Sequence, residues 1–301
     1  MAEPSSPRLP DLVIAGVTKA GTTSLFHYLA QHPDVGVPDV KEVDHYAPLV
    51  EGREPPSLEA YAAHFAGSGD RRVLLEASPR YFIGGPPLVD RLVADLASPK
   101  VLVVLRDPVA RMWSSYTYKR SKDRLPDDVD LAEFVRRCRS VHERGLVRDP
   151  GHAAYRTLAV GVYADFLPAW LDGLGPDLRV VFADDLREPV PLLRSLCEWV
   201  GLDPAPVAGF DLSARNATFQ PRSRALRRAA LAVNERLGSV LPDGARRGLR
   251  RSYQRVNAGA LAETFDPAVR AELEAFYAPT LPPLREMLVR HGATALPAWL
   301  G

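Results

Sequence analysis

Four apolar runs punctuate the chain: "LVIAG" (12–16), "RVLLEASP" (72–79), "KVLVVL" (100–105) and the start of "LRVVFADDL" (178–186). Each is short, dense in Val and Leu, and closed by turn-forming or polar residues. That pattern predicts strands buried on both faces rather than half-exposed ones. Between them apolar positions recur at helical spacing. "TTSLFHYLAQHP" (22–33) puts Leu25, Tyr28 and Leu29 on one side, with Pro33 beyond its end. Residues 87–97 and 130–140 predict two further helices. "DPVARMWSSYTYKR" (107–120) predicts another, opened by an Asp-Pro pair suited to an N-cap and first turn. "AYRTLAVGVYADFLPAWLDGL" (154–174) reads as mostly helical, and "PLLRSLCEWVGL" (191–202) as an amphipathic helix stopped by Gly201. Residues 202–221 read as loop. Arg-rich helices follow, and then one long helix, "DPAVRAELEAFYAPTLPPLREMLVRHG" (266–292).

Strands alternating with helices predict an α/β fold: three layers, with a central parallel sheet flanked by helices on both faces. Ligands in such folds bind beyond the carboxyl ends of the strands. The expectation is one domain over residues 1–301, with residues 1–10 as a flexible tail.

Composition narrows the function classes. A net charge of +1 argues against a generally basic nucleic-acid surface. The lysines are Lys19, Lys41, Lys100, Lys119 and Lys122, and arginine carries the remaining positive charge, as suits a bacterial source with a high-GC genome. Cys138 and Cys197 lack metal-ligand spacing and read as reduced, buried thiols. No apolar run approaches membrane-spanning length and the first ten residues do not resemble a secretory leader, so the expectation is a soluble, cytoplasmic protein with no integral membrane segment.

Candidate chemistry begins where the first strand ends. "GVTKAGTT" (16–23) has the Gly-to-Gly spacing of a phosphate-binding loop, with amides turned inward and a helix N-terminus behind them. The nucleotide-triphosphatase form places Lys and Ser/Thr directly after the second Gly. Here those positions hold Thr22 and Thr23, and Lys19 lies inside the loop. A phosphate still fits, without the usual magnesium-triphosphate arrangement. A second element, "VLVVLRDPVARMWSSY", sets Arg106 at a strand's end and Ser114 two helical turns on. Arg offers a planar fork of donors to a phosphate, and a nearby hydroxyl adds another.

Together these motifs resemble the sulfotransferases that use 3′-phosphoadenosine 5′-phosphosulfate (PAPS). "KEVDHY" (41–46) looks like the Lys-Glu-Val-His-Phe-Phe segment of the heparan sulfate N- and O-sulfotransferase branch. "EASPRYF" (76–82) is similar to that branch's Glu-Lys-Ser/Thr-Pro-x-Tyr-Phe segment, although Ala77 stands where its lysine is expected. "GVYADFLPAW", "FADDL" and the closing "FYAPTLPPLREMLVRHGATALPAWL" also resemble segments of that branch.

The resemblance implies PAPS as co-substrate, adenosine 3′,5′-bisphosphate as product, no metal, and a small-molecule or carbohydrate acceptor. It implies that Thr18, Lys19, Ala20, Gly21, Thr22, Thr23 and Ser24 hold the 5′-phosphosulfate, and that Arg106 and Ser114 grip the 3′-phosphate. Lys19 would neutralise charge on the departing phosphate, and Glu42 would be the general base, with His45 as its rival. Tyr163 is a candidate adenine contact or a core residue, and Arg222 and Ser223 are candidate contacts from a late basic loop. Lys41 or Arg80 could replace the missing lysine. Two other readings compete. A small-molecule kinase would use Asp107 as a metal-binding carboxylate, although Pro108 makes Asp107 look like a helix cap. A non-catalytic nucleotide-binding protein would need no base.

Overall fold

The computed structural model describes residues 8–213 and 264–301. Its centre is a five-stranded, wholly parallel sheet: β1 (Leu12–Gly16), β2 (Val35–Gly36), β3 (Val73–Ala77), β4 (Lys100–Leu105) and β5 (Leu178–Phe182). The strand order is β2-β3-β1-β4-β5. Val101 to Leu105 run in continuous register beside Leu178 to Phe182, and Leu12 lies opposite Leu75 on one side and Lys100 on the other. Every residue of β1 and β3 is buried, as the unbroken apolar runs require.

Among the described residues the helices of two turns or more are α1 (Thr22–Leu29), α2 (Pro86–Leu96), α3 (Pro108–Ser121), α4 (Leu131–Glu143), α5 (Leu167–Leu174), α6 (Pro189–Trp199), α7 (Pro267–Tyr277) and α8 (Leu281–Arg290). Asp107, Asp130 and Asp266 cap α3, α4 and α7 by accepting backbone N–H bonds from Val109, Glu133 and Ala268 at 2.8–2.9 Å. The apolar side chains form two clusters. The larger packs α1, α2, α5, α6 and α8 against the sheet. The smaller joins Met112 and Tyr116 of α3 to Phe134 and Cys138 of α4 and to Leu273 and Tyr277 of α7. Each fully buried Leu or Phe contributes about 1.5–3 kcal/mol to this assembly. Both cysteines are free and buried. Among the described residues no helix is long and apolar enough to cross a membrane.

Two features depart from the sequence reading. The edge strand β2 spans two residues, too few to leave a periodic signature. Residues 154–174 are mostly helical, as expected, but in short pieces: the 3-10 turns Pro150–Tyr155 and Tyr163–Asp165 and the four-residue helix Thr157–Val160 precede α5. Pro168 cannot donate into a preceding helical turn and so starts a new helix. Gly161 lets the chain pass α7 closely, since a Cβ there would sit 2.5 Å from the Tyr277 hydroxyl. The long C-terminal helix is likewise two, α7 and α8, joined by a 3-10 turn containing Pro279. The basic segment holding Arg222 and Ser223 lies outside the described residues.

A cationic crevice at the sheet's switch point

From β1 the chain moves outward to β2 and back to β3 on one side, then crosses to β4 and β5 on the other. The reversal leaves a crevice at the carboxyl ends of β1 and β4, where open α/β sheets bind ligands. The Gly-bounded loop and Arg106 both open into this crevice. Val17 N–H bonds to Val104 C=O at 3.0 Å, fastening the loop to β4. Arg106 Nη1 donates to the Lys19 carbonyl at 3.1 Å, so strand end and loop meet directly.

The loop's shape is set by its backbone. Lys19 has φ 69° and Gly21 φ 101°, both left-handed, and Gly21 is the N-cap of α1 with no side-chain cap. An α-helix leaves its first amides without intrahelical partners, so those at the head of α1 are available to an anion. A side chain at Gly21 would be strained by that φ and would strike Leu186. Gly16 is needed for close packing, since a Cβ there would lie 2.7 Å from Phe82 Cβ. Thr18, Thr23 and Ser24 are half-buried along this rim, and Thr22 is buried. Ala20 differs from its neighbours: its side chain is buried and its amide bonds to the Val17 carbonyl at 3.1 Å. It shapes the loop, and its N–H is not free for a phosphate.

The electrostatics are one-sided. The Lys19 ammonium lies 4.0 Å from the centre of the Tyr118 ring. Burial, reinforced by Arg106 and Lys122, lowers its pKa to about 8. Among the described residues neither Lys19 nor Arg106 is paired with a carboxylate within 4.0 Å. An anion between them would relieve both their desolvation and their mutual repulsion. Ser114, Tyr118 and Lys122 recur at four-residue intervals from α3 onto its C-cap, the spacing of one helix face. That spacing was the available sequence signal for Tyr118 and Lys122, which the sequence reading passed over. Asp107 accepts the Val109 amide at 2.9 Å and is a helix cap, as the Asp-Pro pair suggested.

Tyr163 does not face the crevice. It is 1% exposed and donates to the Arg106 carbonyl at 2.7 Å. Its role is to buttress the strand end, which corrects the expectation of an adenine contact.

The acidic segment 41–46 sits alongside. Lys41 Nζ lies 5.6 Å from the Phe26 ring of α1 and pairs with Glu42 at 3.1 Å. Glu42 is exposed, and its carboxylate opens to solvent. His45 is placed differently: 3% exposed, it stacks on Tyr61 at 4.1 Å between centroids and meets Tyr46 edge-on. Burial pulls its pKa down to about 4. A ring held in that stack packs the core, which counts against it as the rival base. Arg80 pairs with Glu51 at 3.1 Å and Asp44 at 3.7 Å, and Ala77 is buried. Arg80, one of the two candidates to replace the missing lysine, is thus braced by two carboxylates, and Lys41, the other, is paired with Glu42. Two surface grooves elsewhere, beside Arg179 and Ser195 and beside Arg136 and Glu272, include none of these residues.

Comparison with known proteins gives this crevice a family. The model of the sulfotransferase domain matches residues 9–218, which includes the loop, the acidic segment, Arg106 and Ser114. Mouse heparan sulfate glucosamine 3-O-sulfotransferase 3A1 is 29% identical over 67% of this chain and 48% of its own length. The mouse 3B1 protein is 30% identical over 65% and 47%. The chain therefore spans about half the length of these relatives. A sulfotransferase from Alicyclobacillus acidocaldarius shares the fold, with TM-score 0.67 and 24% identity over 96% of this chain and 98% of that one. With a family model matched over more than half its length, the chain belongs to the sulfotransferase domain family.

Proposed function

We propose that the protein transfers a sulfuryl group from PAPS to an acceptor hydroxyl, the acceptor being a small molecule or a carbohydrate. The observation that carries this reading is the junction of Arg106 with the Lys19 carbonyl, which makes one cationic cradle from two motifs 87 residues apart. The donor set fits a doubly phosphorylated nucleotide. An uncapped helix head and Lys19 suit one anionic end, and Arg106 with Ser114 suits the other.

PAPS supplies an already activated sulfuryl group, so the reading needs no metal. The chain's own residues position and compensate charge. The amides and hydroxyls of Thr18, Thr22, Thr23 and Ser24 orient the phosphate nearest the transferred group. Lys19, as ammonium, faces the oxygen that gains negative charge when its bond to sulfur breaks. Glu42 takes the acceptor's proton as the acceptor oxygen bonds to sulfur, leaving a sulfate ester and adenosine 3′,5′-bisphosphate. Glu42 is preferred to His45 because it is exposed beside the crevice and His45 is enclosed by aromatic rings. Arg222 and Ser223 are proposed as weaker contacts to the nucleotide. The mammalian relatives are named for a glucosamine 3-hydroxyl, which makes a carbohydrate hydroxyl the first acceptor to try. A single domain working in the bacterial cytoplasm belongs to the same reading, supported by two unpaired thiols and arginine-heavy composition.

A paired measurement tests it. Adenosine 3′,5′-bisphosphate should raise the melting temperature and Mg·ATP should not, and sulfur-labelled PAPS should yield labelled acceptor from a carbohydrate panel. Stabilisation by Mg·ATP alone would favour the kinase, against which the use of Asp107 as a cap already counts.

A further inference from the structure

Among the described residues Glu76 is the one acid inside the sheet, and the reaction as described makes no use of it. It is fourth in β3, opposite Val13 of β1, and fully buried. Among the described residues no cation lies within 4.0 Å of it. Its carboxyl is nonetheless connected. Ser78 Oγ donates to Glu76 Oε1, and the Ser78 hydroxyl oxygen in turn accepts the Asp44 N–H at 2.8 Å. Asp44 is held at φ 56°, a left-handed conformation that costs a residue with a Cβ and needs fixing from outside. It lies two residues beyond Glu42. One hydroxyl links the two: Ser78 donates inward to Glu76 and keeps a lone pair for the Asp44 N–H.

We propose that Glu76 is a positioning residue for the acidic segment, acting from the sheet interior through the Ser78 hydroxyl to hold the Asp44 backbone and so the placement of Glu42. The proposal rests on Glu42 being the base. Glu76 acts as the neutral acid. Burial pushes its pKa up to about 8, and the Asp44 and Glu42 carboxylates add to the rise while Ser78 and Lys41 oppose it. The other titratable groups facing it are Tyr46, Tyr61 from the short helix Leu58–Ala63, and Tyr81 from the turn after β3. Ionisation of Glu76 would place a charge beneath two carboxylates and disturb the segment they stand on.

Amide NMR and kinetics together decide the matter. In wild type the Asp44 amide resonance should titrate with a midpoint near pH 8, and in Glu76→Gln it should stay flat, since Gln keeps the acceptor for Ser78 without a titrating proton. Glu76→Gln should hold kcat at pH 7 within about twofold, whereas Glu76→Leu, which fills the space but cannot accept from Ser78, should lose about tenfold or more in kcat with KM for PAPS unchanged. An Asp44 amide that ignores pH from 6 to 9 in wild type overturns the proposal, and so does full turnover in Glu76→Leu. Absence of sulfuryl transfer by the wild type would sink the function above. The Asp44 titration would still judge the link to Glu76.

Discussion

The loop at residues 17–21 and the acidic segment at 41–46 are neighbours at the carboxyl edge of one sheet, yet they are built in different ways. The first is shaped by backbone: two left-handed residues, an uncapped helix head and a carbonyl tied to Arg106. Its charge is positive throughout, and its demands are on glycine spacing and amide direction. The second is shaped by side chains that are mostly hidden. Tyr61, Tyr46 and His45 stack beneath it, Ser78 and Glu76 tether it, and Arg80 braces it from the side. A cradle of amides binds phosphate wherever phosphate occurs, so it suits the co-substrate. A side-chain platform can be recast residue by residue, which suits an acceptor that differs between family members.

The sharpest way to break this comparison is at Glu42. Glu42→Gln keeps size and exposure and removes the proton acceptor, so kcat should fall by about 10²–10⁴-fold while the thermal shift with adenosine 3′,5′-bisphosphate is retained. If turnover survives, the acidic segment is a support and the protein's base lies elsewhere. Lys19→Met tests the opposite side. With the cation gone, kcat should fall by about 10²–10³-fold, and nucleotide binding should weaken as well. Lys19 also sets a pH limit. Its pKa is lowered to about 8, so in the free enzyme the ammonium is lost as pH rises through that value, and kcat/KM should decline on the alkaline side. Bound nucleotide should move the decline to higher pH, because an anion favours the charged form.

The two sides also differ in how far the sequence exposes them. "GVTKAGTT" and "LRDP" could be placed at strand ends because their spacing is written in order along the chain, and the strands bearing them are unbroken apolar runs. Tyr163 misled because a Tyr in a Gly-x-Tyr motif looks the same whether its hydroxyl meets a base or a buried carbonyl. Only its contact with the Arg106 carbonyl decides. Glu76 left a trace, an acid inside "VLLEA", but its partner Asp44 is 32 residues away and meets it through Ser78. Pro279 is a visible break, and the apolar periodicity running through it outweighs it in the sequence.

Gly21→Ala gives a smaller, structural effect on the backbone-built side. At φ 101° an added Cβ is strained and also strikes Leu186, and destabilisation of about 1–3 kcal/mol should follow. Denaturant unfolding would measure it. Weakening of adenosine 3′,5′-bisphosphate binding beyond the stability loss would confirm that the loop's shape, and not only its residues, holds the nucleotide. An unchanged affinity would mean that the loop tolerates reshaping, and the contrast with the side-chain platform would lose its basis.

The least effect on catalysis is expected at His45, and for that reason it separates packing from chemistry. Phe in its place keeps a flat ring on Tyr61 and removes the buried Nε2, which has no hydrogen-bond partner among the described residues. Turnover should stay within about threefold of wild type, since exchanges of similar volume disturb a core little. Stability should change with a definite sign. His45 is neutral in the folded protein down to about pH 4, whereas an unfolded His binds a proton below its ordinary value near 6.5. Between those limits the unfolded state holds more protons, so wild type loses stability as pH falls from 6.5 towards 4, by up to about 3 kcal/mol. His45→Phe should abolish that loss and leave the variant the more stable protein at pH 5, read as melting temperature against pH. If instead kcat collapses while the acid-side stability is unaltered, His45 is a base after all, and the platform under the acidic segment has been misassigned.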